Sequence, residues 1–332
     1  MKHDKKDWKI IYQLSLDARQ SISKIAKKIG LSQQSTDYRI KRLEKLDVIK
    51  GYYTCIDISK IGYSIFKIYI KLQNLDEEKE KAMLEDLIQN PNIVWIATCD
   101  GVWDLYIAIW AKNIFQFNKI FSKVNNDYSF YFLKKSIIAN TKVFKFKRKY
   151  LALSKNEEDT SYIEWAGEIS EVSLNKLDFK ILLSLVQDAR KSEIQISKEL
   201  NISRKVIAYR LNNLKKSGVI FSYQPYINEH FLNIKTYKLL ISLKSLTADK
   251  EKKLFSFLRY HPYVLEVINC IGNWELEVDM ESPSIDINHN LIRELKNKFT
   301  DIIREIDILL IYKTHKYNYL PTGLKEIEQK VG

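Results

Sequence analysis

The stretch "CDGVWDL" occupies Cys99–Leu105, and "CIGNWEL" occupies Cys270–Leu276. The pattern Cys-x-Gly-x-Trp-acid-Leu therefore recurs at an offset of 171 positions. The offset is not local to this motif. "DWKIIYQLSLDAR" (Asp7–Arg19) matches "DFKILLSLVQDAR" (Asp178–Arg190), and "YRIKRLEKLDVI" (Tyr38–Ile49) matches "YRLNNLKKSGVI" (Tyr209–Ile220), all in one frame. Pro91 and Pro262 keep it too, so the halves align without net insertion from Asp7 to Trp103. A unit of this length is too long for a solenoid repeat and reads as a duplicated subunit.

The 332 residues suffice for two or more domains with their own cores, and 45% hydrophobic content is that of a globular chain. No run of about 18 apolar residues is present, so no membrane span is expected. The N-terminal "MKHDKKDWKIIYQL" turns amphipathic at once and does not read as a signal peptide. Three scattered cysteines make neither a disulfide framework nor a zinc site, which points to a reducing cytoplasm.

Each half changes its hydrophobic period once. Over Asp7–Leu46 the apolar residues fall at helical spacing in three groups, with Ser32, and Ser203 in the second half, placed as helix N-caps and Gly30 suited to a turn. After that, "IFKIYIKL", "IVWIATC", "WDLYIAIW" and "FLKKSIIANTKVF" read as strands, and "DEEKEKAMLEDLIQ" and "NIFQFNKIFSKV" as helices. The order is βαββαβ, one antiparallel sheet with two helices on one face. The expected fold class is α+β, a tandem duplication of a three-helix module followed by a ferredoxin-like βαββαβ domain. The expected boundaries are 1–60, 61–153, an acidic polar linker at 154–173, then 174–231 and 232–320. Trp165 is expected to pack on one of the halves.

The net charge of +13 is concentrated. Arg19–Lys50 holds nine basic and three acidic residues, and Arg190–Phe221 holds eight and two, so each window carries +6. A charge confined to two equivalent three-helix modules is what a DNA-binding face requires. In a helix-turn-helix the third helix enters the major groove. The candidate DNA-contacting residues there are Ser32, Gln33, Gln34, Ser35, Tyr38, Arg39 and Arg42, and in the second half Ser203, Arg204, Lys205, Tyr209, Arg210 and Asn213. The two surfaces differ, Gln33–Gln34 against Arg204–Lys205, so they should prefer different half-sites. The competing reading is a solvated basic face on which Tyr38 and Tyr209 are packing residues.

No Cys-x-x-Cys, His-Glu-x-x-His, phosphate loop or nucleophile elbow is present, so neither a metal nor a cofactor is expected. Cys99 and Cys270 read as buried thiols at strand ends. The candidate effector residues are Asp100, Gly101, Trp103 and Asp104, with Gly272, Asn273, Trp274 and Glu275. A carboxylate beside a glycine turn can receive an ammonium group, or it can sit at an edge in water, and the two tryptophans pack on the sheet or line a pocket.

Each half resembles a complete Lrp/AsnC-type regulator. The resemblance is carried by "ISKIAKKIGLSQQSTDYRIKRLEKLDVIKGYYTCIDISKIGY" (Ile22–Tyr63) and "PNIVWIATCDGVWDLYIAIW" (Pro91–Trp110). In the second half it is carried by "IQISKELNISRKVIAYRLNNLKKSGVIFSYQPYI" (Ile194–Ile227) and "PYVLEVINCIGNWELEVDM" (Pro262–Met280). It implies a winged helix-turn-helix on each βαββαβ domain, double-stranded DNA as partner, and a small effector, often an amino acid, near the Gly-x-x-Asp turn. The expected function is sequence-specific transcriptional regulation without enzymatic activity. The chain departs from the family in fusing two units, which are expected to pair within one chain as a pseudo-dimer or with their own kind in a homo-oligomer. Siroheme decarboxylases are similar in fold and also act as pairs of units, and a tetrapyrrole enzyme is the alternative. Their arginine-rich segment after the helix-turn-helix is replaced here by "IKGYYT" and "IFSYQP".

Overall fold

The computed structural model describes residues 4–152, 161–244, 247–318 and 320. The first half begins with α1 (Lys5–Leu16), α2 (Ile22–Ile29) and α3 (Gln33–Lys45). Asp4 caps α1 in a capping box, Ser21 caps α2, and Ser32 caps α3 by accepting from Ser35 N at 3.1 Å. Gly30 ends α2 at φ 67°, the left-handed conformation that glycine adopts without penalty. Next come β1 (Ile49–Ile56), β2 (Ser64–Leu72), α4 (Glu77–Gln89), β3 (Ile93–Gly101), β4 (Leu105–Ala111), α5 (Ile114–Tyr128) and β5 (Phe132–Phe146). A short strand, β6 (Tyr162–Trp165), lies between the halves. The second half repeats the series as α6 (Lys176–Gln187), α7 (Glu193–Leu200), α8 (Arg204–Lys216), β7 (Ile220–Ile227), the added turn α9 (Glu229–Leu232), β8 (Lys235–Leu243), α10 (Ala248–Tyr260), β9 (Val264–Ile271), β10 (Leu276–Ser282), α11 (Ile285–Lys298) and β11 (Ile303–Tyr317). The 171-residue frame holds to the end of β11.

The halves pair with each other. β1 runs antiparallel to β7, with Tyr53 opposite its own counterpart Gln224, so a pseudo-two-fold axis passes between them. The strand after each three-helix module therefore makes its ribbon with that of the other module, so the two winged modules share one two-stranded ribbon. Each four-stranded sheet has the ferredoxin order, β5-β2-β4-β3 and β11-β8-β10-β9. The 15-residue β5 and β11 are long enough to leave their own sheets. β11 continues along β3 (Leu309 opposite Gly101), and β5 along β9 (Ala139 opposite Ile271). The result is a closed ring of eight strands with β6 added on β5. Closure leaves no free edge in the ring.

The ring joins two cores. Helices α4 and α5 cover the outer face of the first sheet through Met83, Leu87, Phe117 and Phe121, and α10 and α11 cover the second through Leu254, Leu258, Leu291 and Leu295. The inner faces meet each other, so β4 and β10 are buried along their whole length. The closed ring also explains the repeated glycines. A Cβ at Gly101, φ 132°, would lie 2.7 Å from the carbonyl oxygen of Ile308, and one at Gly272 would lie 2.8 Å from that of Ile137. Each glycine lets the other half's crossing strand approach.

A charge cluster fills the middle of the interior. Glu277, fully buried, accepts from Lys67 Nζ at 2.6 Å and Lys238 Nζ at 3.1 Å through one oxygen. Its other oxygen accepts from Tyr69 Oη at 2.9 Å and Trp274 Nε1 at 3.1 Å. Lys238 also bonds Asp279. Two buried lysines thus face two buried carboxylates. Burial alone would raise the Glu277 carboxyl, but the two ammonium groups hold it down at about 2.

Removing one member strands the others. Glu277→Leu is expected to destabilise the chain by about 3–5 kcal/mol in urea unfolding, and wild-type stability would contradict this. The depressed carboxyl also sets a pH sign. Its stabilisation is complete above the ordinary value of 4.5 and is lost as pH falls through about 2. Glu277→Gln should flatten that part of the acid-unfolding curve.

Candidate nucleic-acid interface and effector pocket

On α3, Thr36, Ile40 and Leu43 turn inward, and on α8, Ile207, Leu211 and Leu214 do so. That leaves Gln33, Gln34 and Tyr38 exposed on α3, and Arg204, Lys205 and Tyr209 on α8, with Ser35 and Asn213 half-buried. Tyr38 is 67% and Tyr209 62% exposed, so neither is a packing residue. Lys24, Lys27, Lys28, Lys45 and Lys50 add cationic groups exposed to solvent on the first module. Ser32 and Ser203 use their hydroxyls to cap α3 and α8.

The arginines of the third helices are engaged within their own modules. Arg39 donates to Asp4 at 2.7 Å and Asp7 at 2.9 Å, Arg42 to Asp7 at 2.5 Å, and Arg210 lies 3.5 Å from Asp178. Asp7 and Asp178 are buried at the start of α1 and α6, so these arginines first serve to tie the first helix to the third. The Asp4 and Asp7 carboxylates raise the Arg39 guanidinium above its ordinary range against the opposing effect of burial. Arg19 and Arg190, counted within the basic windows, are half-buried between the halves. Arg19 donates to the carbonyls of Ala189 (2.6 Å) and Lys191 (2.8 Å), and the two guanidinium groups lie over Tyr223 and Tyr52 of the opposite halves.

The effector candidates also separate. Trp103 and Trp274 are 4% exposed and meet across the pseudo-axis with ring centroids 6.4 Å apart. They line the interior of the ring and not a pocket at the turn, because the strands they begin are covered on both faces. Gly101 and Gly272 are crossing points, as described above. Cys99 and Cys270 are buried at the same crossings, and burial pushes the Cys99 thiol up to about 12. Asp100 and Asn273 are exposed at the two turns.

The two turn carboxylates now differ. Asp104 accepts from Lys71 Nζ at 2.6 Å and from Leu72 N at 2.8 Å. In the second half Ser242 stands where Lys71 does. Glu275 accepts from Leu243 N at 2.7 Å and has no ion pair among the described residues. Glu275 borders a cavity of about 420 Å³ walled by Phe144, Tyr162, Leu254, Phe255, Leu258 and Val267, with Glu251, Lys252 and Asn269 at its polar side. Tyr162 belongs to β6, for which no counterpart is seen among the described residues. Sequence reading placed β6 in the polar linker and missed it. The alternation Tyr162, Glu164 about Ile163, Trp165 was the available signal. Trp165 is buried and stacks on Phe221, ring centroids 5.3 Å apart.

A second, smaller cavity of about 50 Å³ lies inside the ring among Trp95, Tyr106, Trp110 and Asn140. Among the described residues no cluster of His, Cys, Asp and Glu could hold a metal ion, and no helix is long and apolar enough to cross a membrane.

Comparison with known proteins places these features. Residues 4–44 match the AsnC-type helix-turn-helix domain, and residues 174–220 match a winged helix-turn-helix DNA-binding domain. The HTH-type transcriptional regulator LrpC of Bacillus subtilis is 35% identical over 115 residues, 34% of this chain and 78% of that protein. The HTH-type transcriptional regulator LrpA of Pyrococcus horikoshii is 31% identical over 112 residues, 33% of this chain and 77% of that one. Among solved structures, the siroheme decarboxylase NirDL superposes with a TM-score of 0.63 at 11% identity, covering 99% of this chain and 97% of its own. That likeness is one of fold, and it includes the fusion of two units.

The arginine braces and the exposed residues should separate experimentally. Arg39→Ala and Arg210→Ala are expected to lower thermal stability, by about 1–3 kcal/mol for each carboxylate left buried with fewer partners. Tyr38→Ala and Lys205→Ala should leave the melting temperature within about a degree or two, in keeping with exposed positions away from the core. Equal melting temperatures for all four variants would contradict the assignment.

Proposed function

The chain belongs to the Lrp/AsnC family of transcriptional regulators, and from that premise we propose which of its surfaces read DNA and which receives an effector. It is a DNA-binding regulator with two helix-turn-helix modules in one polypeptide. The proposed reading surface is Gln33, Gln34, Ser35 and Tyr38 on α3 with Arg204, Lys205, Tyr209 and Asn213 on α8. Phosphate contacts come from the surrounding lysines. The observation that supports this is the exposure of equivalent polar and aromatic residues at the start of both third helices, within the two windows that carry nearly all the net charge.

Selection from random duplex DNA should enrich a defined sequence, and affinity for it should fall steeply with salt, by about tenfold or more between 50 and 200 mM. No enrichment, or affinity indifferent to salt, would remove the proposal. The reading also implies a cytoplasmic location and no catalytic role. The fold likeness to a siroheme decarboxylase supports an enzyme as a second reading. Against it stands the replacement of the arginine-rich segment that such enzymes carry after the helix-turn-helix by "IKGYYT" and "IFSYQP". Titration with an iron tetrapyrrole is expected to give no stoichiometric Soret shift.

The effector is assigned to the second half alone. Lys71 neutralises Asp104, whereas Glu275, which has no ion pair among the described residues, borders an apolar, aromatic cavity. Such a site suits a small molecule bearing an ammonium group and a hydrophobic side chain, as an apolar amino acid does. Calorimetric titration with a panel of amino acids is expected to give one site per chain. Glu275→Gln should weaken that binding by about tenfold, in line with loss of a charge-assisted hydrogen bond, while Asp104→Asn leaves it unchanged. Two equal sites per chain would contradict the assignment.

A further inference from the structure

The interior of the eight-stranded ring differs between the halves at equivalent positions. β4 presents Tyr106, Ala108 and Trp110 where β10 presents Glu277, Asp279 and Glu281, and all six are buried. The lysines, in contrast, are duplicated: Lys67 and Lys238 occupy the same place on β2 and β8 and both bond Glu277. The third acid is matched too. Glu281 accepts from Arg148 Nε at 2.9 Å and from Tyr150, and both donors follow β5 of the first half.

From this we infer that the first half can close only on a second half, so that the regulator binds an asymmetric, non-palindromic DNA site. Two first halves would bury two copies of Lys67 against tyrosine and alanine, leaving two uncompensated positive charges. Two second halves would bury four carboxylates of Glu277 and Asp279 against two copies of Lys238, leaving two negative ones. Only the unlike pair is neutral, and an uncompensated charge is not tolerated in such an interior. This negative selection fixes which reading helices stand side by side: one beginning Gln33-Gln34-Ser35, the other Arg204-Lys205-Val206. A palindrome presents identical half-sites and does not suit a pair of unlike helices.

The inference rests on the DNA-reading assignment above, and one experiment separates the two. The full-length chain is used to select from a random duplex library, and its affinity is measured for the consensus and for inverted repeats of each half-site. The expected consensus is bipartite and asymmetric, bound at least about tenfold better than either inverted repeat. Gln34→Ala should relax one half-site only, and Lys205→Ala the other only. The surface variant Arg204→Gln, Lys205→Gln, Val206→Ser, which gives α8 the start of α3, should shift the preference toward an inverted repeat and leave folding intact. A palindromic wild-type consensus overturns the inference while preserving DNA reading. Absence of any consensus overturns both.

Discussion

The structure depends on one buried carboxylate. Glu277 holds Lys67 from one half and Lys238 from its own, and its second oxygen takes Tyr69 from the first half and Trp274 from the second. All of its acceptor capacity is used, so a charge that would be prohibitive alone becomes a junction between two units. An apolar interior would bring two sheets together equally well. It would not say which two, because two copies of either half would fit. The charge pattern supplies that discrimination, and the closed ring of strands depends on it.

The pairing explains why the opening motif recurs. Its glycines admit the crossing strands β5 and β11, its cysteines fill the crossings, and its tryptophans meet at the pseudo-axis. The motif is a device for joining halves. The asymmetry lies where the halves differ: Asp104 is paired with Lys71, whereas Ser242 stands at the equivalent place and Glu275 has no ion pair among the described residues. The duplicated frame builds the platform, and the departures from it make the two sides chemically different.

Much of this was legible in the sequence. The 171-residue frame, the three-helix modules, the βαββαβ order and the basic windows can all be read from period and spacing, since each is local or repeated. Tertiary partners cannot. Arg39, Arg42 and Arg210 lie off the apolar stripe as reading residues would, yet Asp7 and Asp178, some thirty positions away, claim them. The acids of "WELEVDME" alternate with apolar residues and look like a solvated strand face. Their counterparts in "WDLYIAIW" are apolar on both faces, which signals a strand covered on both sides. Carrying that burial across the repeat would have placed Glu277 and Asp279 inside. The lysines in the middle of "IFKIYIKL" and "TYKLLISL" are then cations on the neighbouring strands that can meet them.

The most direct measurement is a distance within one chain. With spin labels on cysteines introduced at the exposed positions Lys50 and Tyr226, on the paired strands β1 and β7, a doubly labelled full-length chain is diluted with a tenfold excess of unlabelled chain. The native cysteines are buried and do not compete. Pairing within the chain predicts a single short distance, within about 20 Å for labels on adjacent strands 4.7–4.9 Å apart, whose amplitude is unaffected by dilution. Loss of that distance on dilution would show that the halves pair between chains and would contradict the account.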